Sequence, residues 1–135
     1  MSTQFEDRLA IRELLEHYAD AVTCVDADAW GATWAEDGVW ELPEYPQIGT
    51  VRGRDNIVAI WKAAMPNYPK LLFLSHPGVI EMHGARAHVR SYTSEAYNPS
   101  PEVTQRVHGL YEDVVVKRNG SWLFLSRKFR TVHRY

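Results

Sequence analysis

Four long stretches between Leu71 and Val132 restrict this chain more than anything else in it. Leu71–Met82, Ala85–Tyr97, Val103–Arg118 and Trp122–Val132 read as strands joined by short connections. Arg118-Asn119-Gly120-Ser121 carries the Asn-Gly pair of a two-residue hairpin, and His83-Gly84 marks a second turn. Asn98-Pro99-Ser100-Pro101 predicts a longer loop between the middle two strands. Strands connected in this way form an antiparallel meander, and one face of such a sheet must be covered.

The first 70 residues supply the cover. Thr3-Gln4-Phe5-Glu6 matches a capping box and opens a long amphipathic helix to about Cys24. Ile11, Leu15, Tyr18, Val22 and Asp26 fall on one stripe of that helical period, which therefore ends in a carboxylate. An ionised carboxylate on an apolar face is costly without a partner, so Asp26 either caps a helix or faces a cavity with a partner. Asp26 or Asp28 caps a second, short helix carrying Trp30 and Trp34 and ended by Gly38. Val39–Leu42 is a short strand stopped by Pro43 and Pro46, with Ile48–Arg52 as its return partner. Gly53-Arg54-Asp55-Asn56 begins a third helix, with Ile57, Ile60, Trp61 and Ala64 on one face, ending before Pro66. Helices followed by a meander predict an α+β fold in which a bent antiparallel sheet wraps the long N-terminal helix. A conical hollow is left between them, and Tyr18, Asp26, Trp30, Trp34 and Trp61 can converge there.

Composition narrows the partners. With 135 residues, a single domain spanning 1–135 is expected. A net charge of -2 leaves no electrostatic footprint for nucleic acid or an anionic membrane. No apolar run approaches the ~18 residues of a membrane span, and the first residues do not form a signal peptide. One cysteine, Cys24, excludes an internal disulfide, and a cytoplasmic location is expected. His83, His88, His108 and His133 lack metal-ligand spacing and no Gly-rich phosphate loop is present, so neither metal nor cofactor is expected. Five Trp and seven Tyr point instead to an aromatic pocket for a small molecule.

Several motifs occur in a telling order: Ile11-Arg12-Glu13-Leu14-Leu15 with Tyr18, Val25-Asp26 with Trp30, and Glu36-Asp37-Gly38-Val39-Trp40. Gly53-Arg54-Asp55-Asn56-Ile57, His76, Gly109-Leu110-Tyr111-Glu112-Asp113, Gly120-Ser121-Trp122 and Ser126-Arg127 continue it. Together they resemble the SnoaL-like branch of the nuclear transport factor two-like superfamily over essentially the whole chain. The resemblance implies a cone-shaped α+β barrel with a deep pocket. Two lyase families of that superfamily, scytalone dehydratase and hexachlorocyclohexane dehydrochlorinase, are similar in placing an aspartate just after the first helix and a histidine early in the first long strand. Those places hold Asp26 and His76 here, and the dehydrochlorinase arginine of the last strand matches Arg127. Ketosteroid isomerases carry their proton-transfer aspartate directly before the proline after the first strand, where this chain has Leu42. The carboxylate that SnoaL-type cyclases use deeper in the sheet finds no match, nor does the Asp-Arg-Asp set of limonene epoxide hydrolases.

The resemblance therefore implies a cofactor-free lyase, dehydratase-like, or an isomerase acting on a small, largely apolar cyclic molecule. His76 would be the general base, with Asp26 accepting its other ring N–H. Arg127 would contact an electrophile or leaving group, and Tyr18 would donate to a substrate oxygen. Trp30, Trp34, Trp40, Leu42, Trp61, Tyr92 and Tyr111 are candidate pocket walls. Each role has a structural counterpart: Asp26 as a cap, Arg127 as the cross-strand partner of Asp113, Tyr18 as core, and His76 as an ordinary strand residue. The rival function is a non-catalytic binding or accessory domain, as in the small subunits of ring-hydroxylating dioxygenases. A homodimer or homotrimer formed through the outer sheet face is expected.

Overall fold

Thr3 starts the first helix by capping it. In the computed structural model, which describes residues 3–135, its hydroxyl accepts the Glu6 backbone N–H at 3.1 Å while the Glu6 carboxylate accepts the Thr3 N–H at 3.3 Å. Helix α1 (Gln4–Cys24) then buries Ile11, Leu14, Leu15, Tyr18 and Val22. It stops at Val25, which adopts a left-handed conformation with φ 51°. Helix α2 (Ala27–Gly31) follows, then strands β1 (Trp34–Leu42) and β2 (Gly49–Arg52), helix α3 (Arg54–Ala64) and one 3₁₀ turn at Met65–Asn67. Strands β3 (Leu72–His83), β4 (Arg86–Ser100), β5 (Val103–Arg118) and β6 (Ser121–Arg134) complete the chain.

Two local expectations are corrected. The second helix ends at Gly31 and does not carry Trp34, because the backbone there pairs with β6: Phe124 donates its N–H to the Thr33 carbonyl at 2.9 Å, and Trp34 lies opposite Phe124. The loop expected at Asn98–Pro101 is shorter, since β4 runs on to Ser100, which pairs with Val103. The Asn-Gly hairpin forms as read, with φ 51° at Asn119 and 80° at Gly120, the two positive values that such a turn requires.

The six strands form one sheet in the order β2-β1-β6-β5-β4-β3. It is mixed, because β1 lies parallel to β6 while every other pairing is antiparallel. The sheet curls around α1 without closing, since β2 and β3 remain its two edges. Three contacts fix the helix in the curl. Asp7 accepts from Lys117 Nζ at 2.9 Å and from the Trp122 indole at 3.1 Å; Arg8 donates to the Ile80 carbonyl at 3.0 Å; and the Thr23 hydroxyl exchanges hydrogen bonds with the Phe73 backbone. Helix α3 is tied down by Arg54, which donates twice to the Trp34 carbonyl at 2.9 and 2.7 Å. None of the described helices is long and apolar enough to cross a membrane.

Candidate active site

Strand alternation decides which side chains enter the hollow. On β5, Val107, Gly109, Tyr111, Asp113 and Val115 face inward, and the matching row on β4 is Val89, Ser91, Thr93, Glu95 and Tyr97. Side chains of α1 and α3 close the space above them. The result is a cavity of about 130 Å³, lined by Tyr18, Trp40, Trp61, Phe73, Tyr111 and Phe129, with Glu95 and Arg134 as its charged members. An engineered apolar cavity of about 150 Å³ takes up benzene, so the space suits a single ring.

The floor beneath the cavity is an ion pair. Arg127 donates from Nε to Asp113 Oδ1 at 2.8 Å and from Nη2 to Asp113 Oδ2 at 3.0 Å, and both residues are buried. The guanidinium carbon lies 3.7 Å from the Tyr111 ring centre, 4.1 Å from Phe124 and 4.3 Å from Tyr18. Burial pushes the Asp113 carboxyl up and the nearby guanidinium opposes it. Above this floor the Trp40 indole donates to the Tyr111 hydroxyl at 3.2 Å, and the Tyr111 and Tyr18 hydroxyls lie 3.4 Å apart. Burial raises both tyrosines above their ordinary value, so both stay protonated. With Trp40 donating to Tyr111, the Tyr111 proton can go to Tyr18, which leaves the Tyr18 O–H available to a ligand.

Glu95 sits two inward positions nearer the mouth than Ser91, the β4 residue opposite Tyr111. Burial pushes its carboxyl up to about 7, held back by the Thr93 hydroxyl, which donates to Oε2 at 2.9 Å, and by the charge of Arg134. A carboxyl that titrates near neutrality inside an aromatic hollow can both take and return a proton. Gly109 allows this arrangement. A Cβ there would lie 2.3 Å from the Phe129 ring and 2.7 Å from the Thr93 hydroxyl.

The structure divides the expected site residues into two groups. Tyr18, Trp40, Leu42, Trp61 and Tyr111 line the hollow. Trp30 and Trp34 are fully buried behind it, with Trp30 stacked on Trp61 at 4.5 Å. Arg127 is taken by Asp113 and lies under the floor, so it does not line the hollow. His76 and Asp26 are not brought together. Phe73 points inward, which turns His76 to the outer face, where its Nε2 meets the Ser94 hydroxyl at 3.3 Å and Tyr92 lies opposite it, 42% exposed. Asp26 is the N-cap of α2, its Oδ1 accepting the Ala29 N–H at 3.0 Å. The His76–Asp26 pair and the Tyr92 wall are therefore corrected. Glu95, Thr93 and Arg134 were missed, and the signal for Glu95 was its place in the alternation Ser91-x-Thr93-x-Glu95-x-Tyr97. No cluster of three or more His, Cys, Asp or Glu side chains suited to a metal forms among the described residues.

A curled, unclosed sheet around a long helix, hollow on the helix side, defines a nuclear transport factor two-like α+β protein. The sequence matches the SnoaL-like domain over residues 3–128, and the chain belongs to that family. No curated protein matches it. Among solved structures it is similar to the D26N form of Rv3472, a protein of unknown function from Mycobacterium tuberculosis (TM-score 0.85, 22% identity, 96% of this chain and 74% of that one). It is also similar to a Novosphingobium aromaticivorans protein provisionally classed as a scytalone dehydratase (0.82, 21%, 97% and 87%). A third is a hexachlorocyclohexane dehydrochlorinase of Novosphingobium barchaimii (0.85, 16%, 98% and 90%). At these identities the likeness is one of fold.

Proposed function

We propose that the hollow binds a small, largely apolar ring compound and moves a proton on it, as a lyase or isomerase, with Glu95 in place of a histidine base. The observation that carries this reading is a single carboxyl among the cavity-lining side chains, raised to about 7 by burial. Ionised Glu95 removes a proton from a ring carbon beside a carbonyl or a leaving group. Negative charge gathering on a substrate oxygen is met by the Tyr18 O–H, backed by Tyr111 and Trp40. Protonated Glu95 then returns its proton to another carbon, which isomerises the substrate, or a leaving group departs, which completes an elimination. The dehydrochlorinase and the provisional dehydratase among the structural neighbours support the lyase class.

The test is hydrogen–deuterium exchange into small cyclic ketones followed by NMR, with elimination from cyclic alcohols and halides assayed in parallel. Glu95→Gln should lose about 10²–10⁴-fold in rate, the usual contribution of a positioned acid–base group. Equal rates in the variant and the wild type would remove Glu95 from the chemistry. A non-catalytic binding role is favoured by one observation, the separation of His76 from Asp26. In that role Glu95 serves as a neutral hydrogen-bond donor, and no substrate exchanges. Exposed Leu72, Leu74, Val79 and Tyr92 on β3 and β4 support self-association as a dimer or trimer, which mass measurement in solution tests.

A further inference from the structure

The hollow has polar groups besides Glu95 that the proton-transfer reading does not use. Arg134, near the end of β6, lines the mouth together with Tyr45, Tyr68, Tyr97 and Glu95. The Tyr45 and Tyr97 side chains line the mouth beside its guanidinium. Arg134 and Glu95 feel each other's charge, yet the ion pairs among the described residues are Asp7–Lys117, Asp37–Arg118 and Asp113–Arg127. The Tyr68 ring packs edge-on against Tyr97 at 5.0 Å, which holds the tyrosines as a group around the opening.

This differs from Arg127, whose charge is fully matched by a carboxylate. Arg134 has no carboxylate within ion-pair distance among the described residues, so its guanidinium can take one from a ligand. Its planar fork fits a carboxylate through two parallel N–H bonds. Tyrosine hydroxyls both accept and donate, so those of Tyr45, Tyr68 and Tyr97 around the mouth can donate to an incoming anion. Burial holds Tyr68 protonated and able to donate. Directly inward of this polar ring the walls are aromatic and the space fits one ring. We propose that the mouth is a carboxylate-recognition site, so that the ligand is a small aromatic or alicyclic acid lying ring-inward with its carboxylate on Arg134. The inference rests on the reading that the hollow takes a small ring compound, and it adds the substituent that orients the ring. A cationic ligand would meet Arg134 on its way in.

The test is a binding titration at low ionic strength, using the fluorescence of Trp40 and Trp61, which line the hollow. Benzoate and cyclohexanecarboxylate are compared with their neutral isosteres benzamide and cyclohexanecarboxamide. The acids should bind about 10-fold or more tightly than the amides, the usual gain of a hydrogen bond to a charged group. Arg134→Gln should bring the acids close to the affinity of the amides, with a much smaller change for the amides, and Tyr97→Phe should remove part of the preference. Arg134 is exposed, so its replacement leaves the core intact. Equal affinity of acid and amide for the wild type, an acid preference that survives Arg134→Gln, or no saturable binding of either acid would each overturn the proposal. Glu95→Gln separates the two readings: it should keep the acid preference while abolishing exchange.

Discussion

Replacing Glu95 with glutamine should stabilise the protein in base while leaving it little changed in acid. Burial raises the carboxyl from the 4.5 of a free glutamate to about 7. Between those values the folded chain keeps a proton that the unfolded chain releases, so stability falls as pH rises through that window. It is fully present below about 4.5 and lost above about 7. At 1.36 kcal/mol per pH unit the difference is at most about 3 kcal/mol, and partial exposure of the side chain brings the expectation to about 2–3 kcal/mol. Glutamine retains the shape and can still accept from Thr93, but carries no charge.

The assay is urea unfolding of both proteins at pH 4.5 and pH 8.5. The advantage of Glu95→Gln should grow by about 2–3 kcal/mol between the two, a shift in midpoint of roughly 1–2 M. Burial also raises Asp113, but its effect is common to both proteins and cancels in the comparison. An advantage that stays constant with pH would mean that Glu95 titrates like a surface glutamate. The argument for a base poised at neutrality would then fail along with the stability argument.

Arg127→Met should destabilise the fold by about 3–5 kcal/mol by leaving Asp113 buried without a partner, and the double change Asp113→Leu with Arg127→Met should recover most of it in thermal melts. Gly109→Ala should cost about 1–3 kcal/mol in chemical denaturation, because its Cβ displaces the Phe129 ring and the Thr93 hydroxyl. His76→Ala should leave exchange and elimination rates unchanged, since the imidazole lies outside the hollow. Asp26→Ala should cost about 1 kcal/mol of helix capping in denaturation, again without changing those rates.

The elements of this fold are legible in the sequence because their signals are local. The capping box at Thr3, the Asn-Gly hairpin and the apolar stripe of α1 each act within a few residues, and each forms as read. The second helix was overextended because the pairing of Trp34 with Phe124 lies 90 positions away in the chain, and no local pattern announces it. Five of the expected lining residues reach the hollow for the same local reason: Tyr18 and Trp61 lie on buried helix faces, and Trp40, Leu42 and Tyr111 on buried strand positions. The histidine failed on parity, and its expected partner is taken up as the cap of α2. One residue along β3 reverses a side chain from the concave face to the outer one, and similarity of motif order does not carry that precision. The resemblance placed a histidine in the right strand; the alternation from Phe73 sends it outward.

Parity sends two carboxyls inward, and their partners decide why only one is usable. Asp113 and Glu95 both occupy inward rows and both are driven up by burial, but their surroundings assign them different work. Asp113 takes both of its hydrogen bonds from one guanidinium and lies under the floor, where its charge is fixed and no ligand reaches it. Glu95 has one hydroxyl partner, lines the cavity, and feels Arg134 only at a distance. Pairing removes the first from acid–base chemistry, and weak pairing brings the second near pH 7.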